Sequence, residues 1–121
     1  MNSFEDLEAW KSARTLRVAI SKTAKTFPLE EKYRLIDQIL RSSRSTTANI
    51  AEGFGRFHYQ ENIQFCRQGR GSLSETLDHL ICAFDEGYIT MEIMGKYRIM
   101  INNCLRILNG YIAYLVKAKS T

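Results

Sequence analysis

Four long stretches of helical periodicity, almost free of chain-breaking residues, restrict what this chain can fold into. A single proline, Pro28, and seven glycines interrupt 121 residues, which is too little turn-forming material for a β-sandwich or barrel. Leu, Ile, Ala, Arg and Glu instead recur at three- and four-residue steps. An all-α fold follows. With 45% hydrophobic content the chain supports one core, not two, and it reads as a single domain over residues 1–121.

The first periodic segment spans about Phe4 to Phe27, with Ser3 as cap, Glu5 and Asp6 at the positive end of the dipole, and Phe27-Pro28 as the stop. Ala9, Ala13, Leu16, Ile20 and Phe27 fall on one side of it, opposite Lys11, Arg14, Lys22 and Lys25. The second begins near Glu30 and runs through Ile39, Ile50 and Phe54, where Gly53 and Gly55 offer a left-handed stop. The third spans about Tyr59 to Glu86, with Gly87 as its C-terminal cap, and the fourth starts behind Thr90. Links of a few residues make successive helices antiparallel neighbours. The predicted architecture is an antiparallel up-down-up-down four-helix bundle.

Small and polar residues mark where the middle helices should meet. Ser42 to Asn49 is a weak helix former, so tertiary packing must hold it, and Gly69 and Gly71 within a helical pattern point to close helix contact. Asn49 and Glu52 lie three apart on one helix, as do Ser72 and Glu75 on the next. The four are expected to form a hydrogen-bonded polar layer, with Arg41, Arg44 or Arg70 as countercharge.

Seventeen Lys and Arg against thirteen Asp and Glu give a net charge of +4 and a pI near 9.1, which favours long-range attraction to phosphates. The same charge is also ordinary for the solvated surface of a small domain. Candidate phosphate contacts are Lys11, Arg14 and Arg17 on the first helix, with Arg41, Arg44, Arg56, Arg67 and Arg70 around the junction of the second and third. Phe57, His58 and Tyr59 beside Arg56 are placed to stack on unpaired bases.

No catalytic constellation emerges. Glu75 and His79 are one residue too far apart for the Glu-x-x-His spacing of di-metal bundles, so no metal or cofactor is expected. Cys66, Cys82 and Cys104 have no C-x-x-C spacing and read as buried, reduced thiols. The N-terminal stretch lacks a basic start and apolar run, and no segment approaches about 18 uninterrupted apolar residues. The expectation is a cytoplasmic protein that is neither an enzyme nor bound to membrane. The fourth helix carries more apolar residues than one buried stripe requires, including Met94, Ile99, Met100, Ile107, Tyr111, Ile112, Tyr114 and Val116, which points to self-association.

Phe4 to Trp10 with Ala13, Phe27-Pro28, the Asn49-Ile50-Ala51-Glu52-Gly53 string continuing to Arg56, Gly71-Ser72-Leu73 with Glu75, and Asp85 to Ile89 together resemble the four-helix bundle protein family. It is also called the ribosomal RNA intervening-sequence or S23 ribosomal protein family. The resemblance covers essentially the whole chain. It implies a ring-shaped homopentamer that binds RNA or DNA, and a likeness to the accessory protein of diversity-generating retroelements, which binds nucleic acid and a reverse transcriptase. The chain departs from the family pattern at Thr46-Thr47-Ala48, where relatives often carry a proline, and at Arg67 to Arg70, where they are usually apolar. Two functions stand side by side: a basic homo-oligomer that binds nucleic acid, and a scaffold for a protein partner such as a reverse transcriptase.

Overall fold

The computed structural model describes residues 2–121; Met1, the first residue of the N-terminal stretch read above, lies outside them. A 3-10 turn at Phe4–Asp6 precedes α1 (Glu8–Ala24), and a second at Leu29–Glu31 precedes α2 (Leu35–Gly55). Helices α3 (Tyr59–Asp85) and α4 (Met91–Lys119) complete the chain, with no strand among the described residues.

Four boundaries differ from the sequence expectation, the simplest being the end of α1 at Ala24, three residues before Phe27. The first helix is broken at Leu7, which is extended (φ −72°, ψ 126°), because Ser3 caps only the 3-10 turn, its Oγ accepting from the Glu5 amide at 3.1 Å. Leu7 is thereby buried, and Phe4 meets Trp10 edge to face at 5.1 Å. Helix α2 starts five residues later than Glu30, after Arg34 leaves the helical region at φ −123° and ψ −107°. Gly53 lies inside α2 and Gly55 is its last residue, but neither is left-handed; the left-handed residue is Phe57, at φ 58°.

Other ends follow the sequence. Gly87 at φ 79° closes α3, its N–H donating to the Phe84 carbonyl at 3.0 Å while the Tyr88 N–H reaches Ala83 at 2.8 Å. Thr90 Oγ1 caps α4 by accepting from the Ile93 amide at 3.2 Å.

Each helix packs on two others: α1 and α3 both lie against α2 and α4. Hydrogen bonds across α3 and α4 join Asn62 to Tyr111 and Gln60 to Lys119, and those across α2 and α3 join Ser42 to Thr76 and Ser45 to Ser72. Early residues thus meet late ones, so these neighbours are antiparallel. Leu16, Ile20, Ile39, Ile50, Leu73, Leu80 and Leu108 fill the centre, each contributing about 1.5–3 kcal/mol of burial.

Helix α4 is long and apolar enough to cross a membrane by length and composition alone, a property it shares with core helices of bundles. Its stripe of Ile101, Cys104, Leu108 and Leu115 is buried, and Lys96, Arg106 and Lys117 stand exposed. Of the apolar residues expected to exceed one stripe, Met94 and Ile112 are core and Met100, Ile107 and Tyr111 are half-buried. Ile99, Tyr114 and Val116 remain exposed.

The α2–α3 seam explains how a Ser/Thr-rich segment stays helical. Ser42, Ser43, Thr46 and Thr47 are buried, and each hydroxyl donates to a carbonyl one turn earlier in its own helix, at 3.0–3.3 Å. Thr76 Oγ1, fully buried, lies 2.8 Å from Ser42 Oγ. No buried side-chain nitrogen or oxygen among the described residues lacks a partner, so the seam avoids the desolvation penalty of unmatched polar groups. Two glycines admit the opposing backbone. A Cβ on Gly69 would meet the Thr46 carbonyl oxygen at 3.4 Å, and one on Gly53 would sit 2.7 Å from Asn62 Oδ1 and 3.1 Å from the Asn62 carbonyl. Gly71, expected to serve the same purpose, faces open space.

Candidate nucleic-acid interface

Helical spacing places Trp10, Arg14, Arg17, Ser21 and Lys25 along the side of α1 that faces α2. Between the two helices lies a groove of about 250 Å³ in which Arg17, Lys22 and Lys25 face Arg44 across Val18 and Leu40. Arg17 Nη1 donates to Thr47 Oγ1 at 2.9 Å, and Thr47 in turn donates to the Arg44 carbonyl at 3.1 Å. The guanidinium is anchored through one of its five N–H groups, leaving the others to meet a ligand.

Among the described residues, Arg14, Arg17, Lys22, Lys25 and Arg44 have no carboxylate within 4.0 Å. Arg14 lies over the Trp10 ring, 5.7 Å from its centroid. The remaining sequence candidates are placed differently. Lys11 pairs with Glu8 at 3.5 Å and Arg41 with Asp37 at 3.4 Å. Arg56 sits between Glu52 (3.3 Å) and Glu61 (3.9 Å), over the Phe65 ring. Arg67 lines a notch between α3 and α4, and Arg70 donates to Asn109 Oδ1 at 2.9 Å. The eight residues therefore occupy several faces of the bundle, and only Arg17 and Arg44 share the groove with Lys22 and Lys25. Those two lysines were visible as charges on α1, but periodicity alone did not say which helix they would face.

The expected polar layer forms only in part. Asn49 Nδ2 donates to Ser45 Oγ at 3.0 Å, Ser45 Oγ lies 2.9 Å from Ser72 Oγ, and Ser72 donates to the Gln68 carbonyl at 3.1 Å. Ser45, unremarked in the sequence, is the link. The carboxylates do not join it: Glu52 turns out to Arg56, and Glu75 to His79 at 3.1 Å. Charged groups keep their hydration at the surface while short hydroxyls close the interior. No third His, Cys, Asp or Glu gathers with that pair among the described residues.

The end of the bundle opposite the Gly87 turn carries a second feature. A cleft of about 630 Å³ opens between the start of α1, the α2–α3 turn and the last turns of α4, walled by Phe54, Phe57, Tyr59, Tyr111 and Tyr114. Phe57 is 84% exposed in its left-handed backbone, a conformation costing an L residue about 1–2 kcal/mol. Tyr111 and Tyr114 stack with centroids 6.3 Å apart, and burial pushes the Tyr111 phenol up, its hydrogen bond from Asn62 acting the other way.

The thiols divide. Burial pushes Cys66 up to about 11 and raises Cys104 as well, whereas Cys82 is exposed, against expectation. Desolvation raises the Cys82 thiol too, reinforced by the carboxylates of Asp78, Asp85, Glu86 and Glu31. Such surroundings oppose thiolate formation, and they mark the acidic end of the bundle where the Gly87 turn lies.

The family described as 23S rRNA-intervening sequence protein matches residues 5–110. Among solved structures, the chain is similar to a protein of unknown function from the S23 ribosomal protein family of Bacteroides thetaiotaomicron VPI-5482. The TM-score is 0.79 at 24% sequence identity, covering 87% of this chain and 95% of that one. No curated protein matches.

Proposed function

Because this chain belongs to the 23S rRNA-intervening sequence protein family, we propose that it is a non-enzymatic, cytoplasmic, homo-oligomeric bundle that binds RNA or DNA through the phosphate backbone. The observation that carries this reading is the α1–α2 groove, lined by Arg17, Lys22, Lys25 and Arg44, none of which has a carboxylate within 4.0 Å among the described residues. Cations already neutralised by acids give little net attraction; free ones release condensed counterions when they meet phosphate. Several copies, as in a ring-shaped pentamer, would repeat the groove and add avidity. The exposed Ile99 and Val116 of α4 are available for that assembly, and light scattering on the purified chain reads the subunit number.

The test is a filter-binding titration against structured RNA, single-stranded DNA and duplex DNA at two salt concentrations. Affinity falls steeply with salt, and Arg17→Glu combined with Arg44→Glu reduces it at least tenfold and lowers the salt slope by about 2. Reversal of Arg41 or Arg56 has the smaller effect, since Asp37 and Glu52 already hold them. Salt-insensitive binding, or none, overturns the reading.

A second reading, a scaffold for a protein partner such as a reverse transcriptase, draws on the acidic end. There Leu29, Tyr33 and Met91 are 81%, 83% and 77% exposed, beside connections tied by the Tyr88 Oη bond to Glu31 Oε2 at 2.8 Å. Pull-down of a specific protein that is lost on Tyr33→Glu supports it.

A further inference from the structure

The aromatic cleft at the α2–α3 turn has a shape and a setting that the phosphate groove does not explain. Its volume of about 630 Å³ falls in the range of small-molecule sites, which combine apolar walls with a few polar groups. Planar rings dominate the walls. Asn62, buried beneath, spends one amide N–H on Tyr111 Oη at 3.0 Å and accepts from Cys66 Sγ at 3.4 Å, so its second N–H is left for a ligand edge. His58, also on the lining, makes no side-chain hydrogen bond to cap α3.

Near the cleft is a notch of about 380 Å³ containing Arg67, Lys119 and Ser120. The two cavities share no lining residue but lie close, since their linings include consecutive residues, Tyr59 and Gln60, and Leu115 and Val116. Neither Arg67 nor Lys119 has a carboxylate within 4.0 Å among the described residues. Flat aromatic walls near cations that no carboxylate holds, Lys119 donating to the neutral Gln60 Oε1, match a ligand that joins a planar ring to an anion. An apolar peptide side chain would leave the cations unanswered.

We infer that the cleft receives an unstacked nucleobase of a single-stranded nucleic acid, stacked against Phe57 and Tyr114, with the adjoining phosphate against Arg67 and Lys119. This deepens the nucleic-acid reading and rests on it. Stacking on exposed aromatics tolerates any base, so the site confers strand preference without sequence preference.

The experiment uses the full chain and a single-stranded oligonucleotide carrying one 2-aminopurine, with duplex DNA and free AMP in parallel. The expected result is fluorescence quenching on binding, about tenfold weaker single-strand affinity for the Phe57→Ala, Tyr114→Ala double variant, and unchanged duplex affinity and salt slope. Phe57→Tyr keeps the quenching, which separates stacking from folding. Absence of quenching, with single strand and duplex bound alike by wild type and variant, overturns the inference and leaves the groove reading standing. Quenching that survives Arg17→Glu with Arg44→Glu at full affinity supports the cleft and refutes the groove. Free AMP bound as tightly as the strand overturns the strand assignment. A double variant that changes the sedimentation coefficient but not nucleic-acid binding makes the cleft an interface between copies, and overturns it too.

Discussion

The α2–α3 seam and the α2–α3 turn are consecutive in the chain, yet they handle local cost in opposite ways. Along the seam, residues of poor helix propensity are held because every hydroxyl is bonded and two glycines admit the neighbouring backbone. At the turn, an aromatic takes a left-handed conformation suited to glycine, and its ring is left in water over an open cleft. Packing accounts for the first arrangement, whereas the second ends α2: the Phe57 N–H donates to the Phe54 carbonyl at 3.3 Å and its ring lies 6.2 Å from that of Phe54. A helix terminus that glycine would serve at lower cost but that carries an exposed aromatic is a pointer to binding.

The sharpest way to break this contrast is at Gly53. Gly53→Ala forces a Cβ against the Asn62 side chain and backbone and is expected to lower stability by about 3 kcal/mol, as overpacking does, read as a fall in the urea midpoint. An unchanged midpoint would mean the seam is looser than its distances. Thr76→Val comes next: it keeps the shape, removes the donor to Ser42 Oγ, and should cost about 1 kcal/mol in the same measurement. At the turn the sign reverses. Phe57→Gly relieves the left-handed backbone and should raise stability by about 1 kcal/mol, while abolishing 2-aminopurine quenching. Stability lost on that change would erase the distinction between the two regions. The smallest effect belongs to Gly71→Ala, where the added methyl meets nothing and improved helix propensity stabilises by less than about 1 kcal/mol.

These sites also show what the sequence made legible. Four helices and the caps at Thr90 and Gly87 were readable because periodicity and capping chemistry are local. Gly69 was readable as a contact because a helix-interior glycine needs a reason. Gly53 was misread as a stop, since a glycine serves close approach and left-handed turns alike, and only the presence of Asn62 and Phe65 opposite it decides. Phe57 was legible as a stacking aromatic beside Arg56, but its positive φ was not, because nothing in an aromatic residue announces one. The basic candidates were assigned to the correct helices, but facing partners depend on how helices rotate against one another. Hence Arg41 and Arg56 were counted with Arg44, although carboxylates already hold the first two.

Greasy surfaces attract without direction, and two rods touching only through them are free to slip along their length. The relay from Asn49 through Ser45 and Ser72 to the Gln68 carbonyl has a sense of travel and a fixed pitch. A displacement of one helical turn, about 5.4 Å, would unhook every tooth of it at once. The small hydroxyls in mid-bundle therefore work as a latch on axial position, and they keep both ends of the molecule in register with each other.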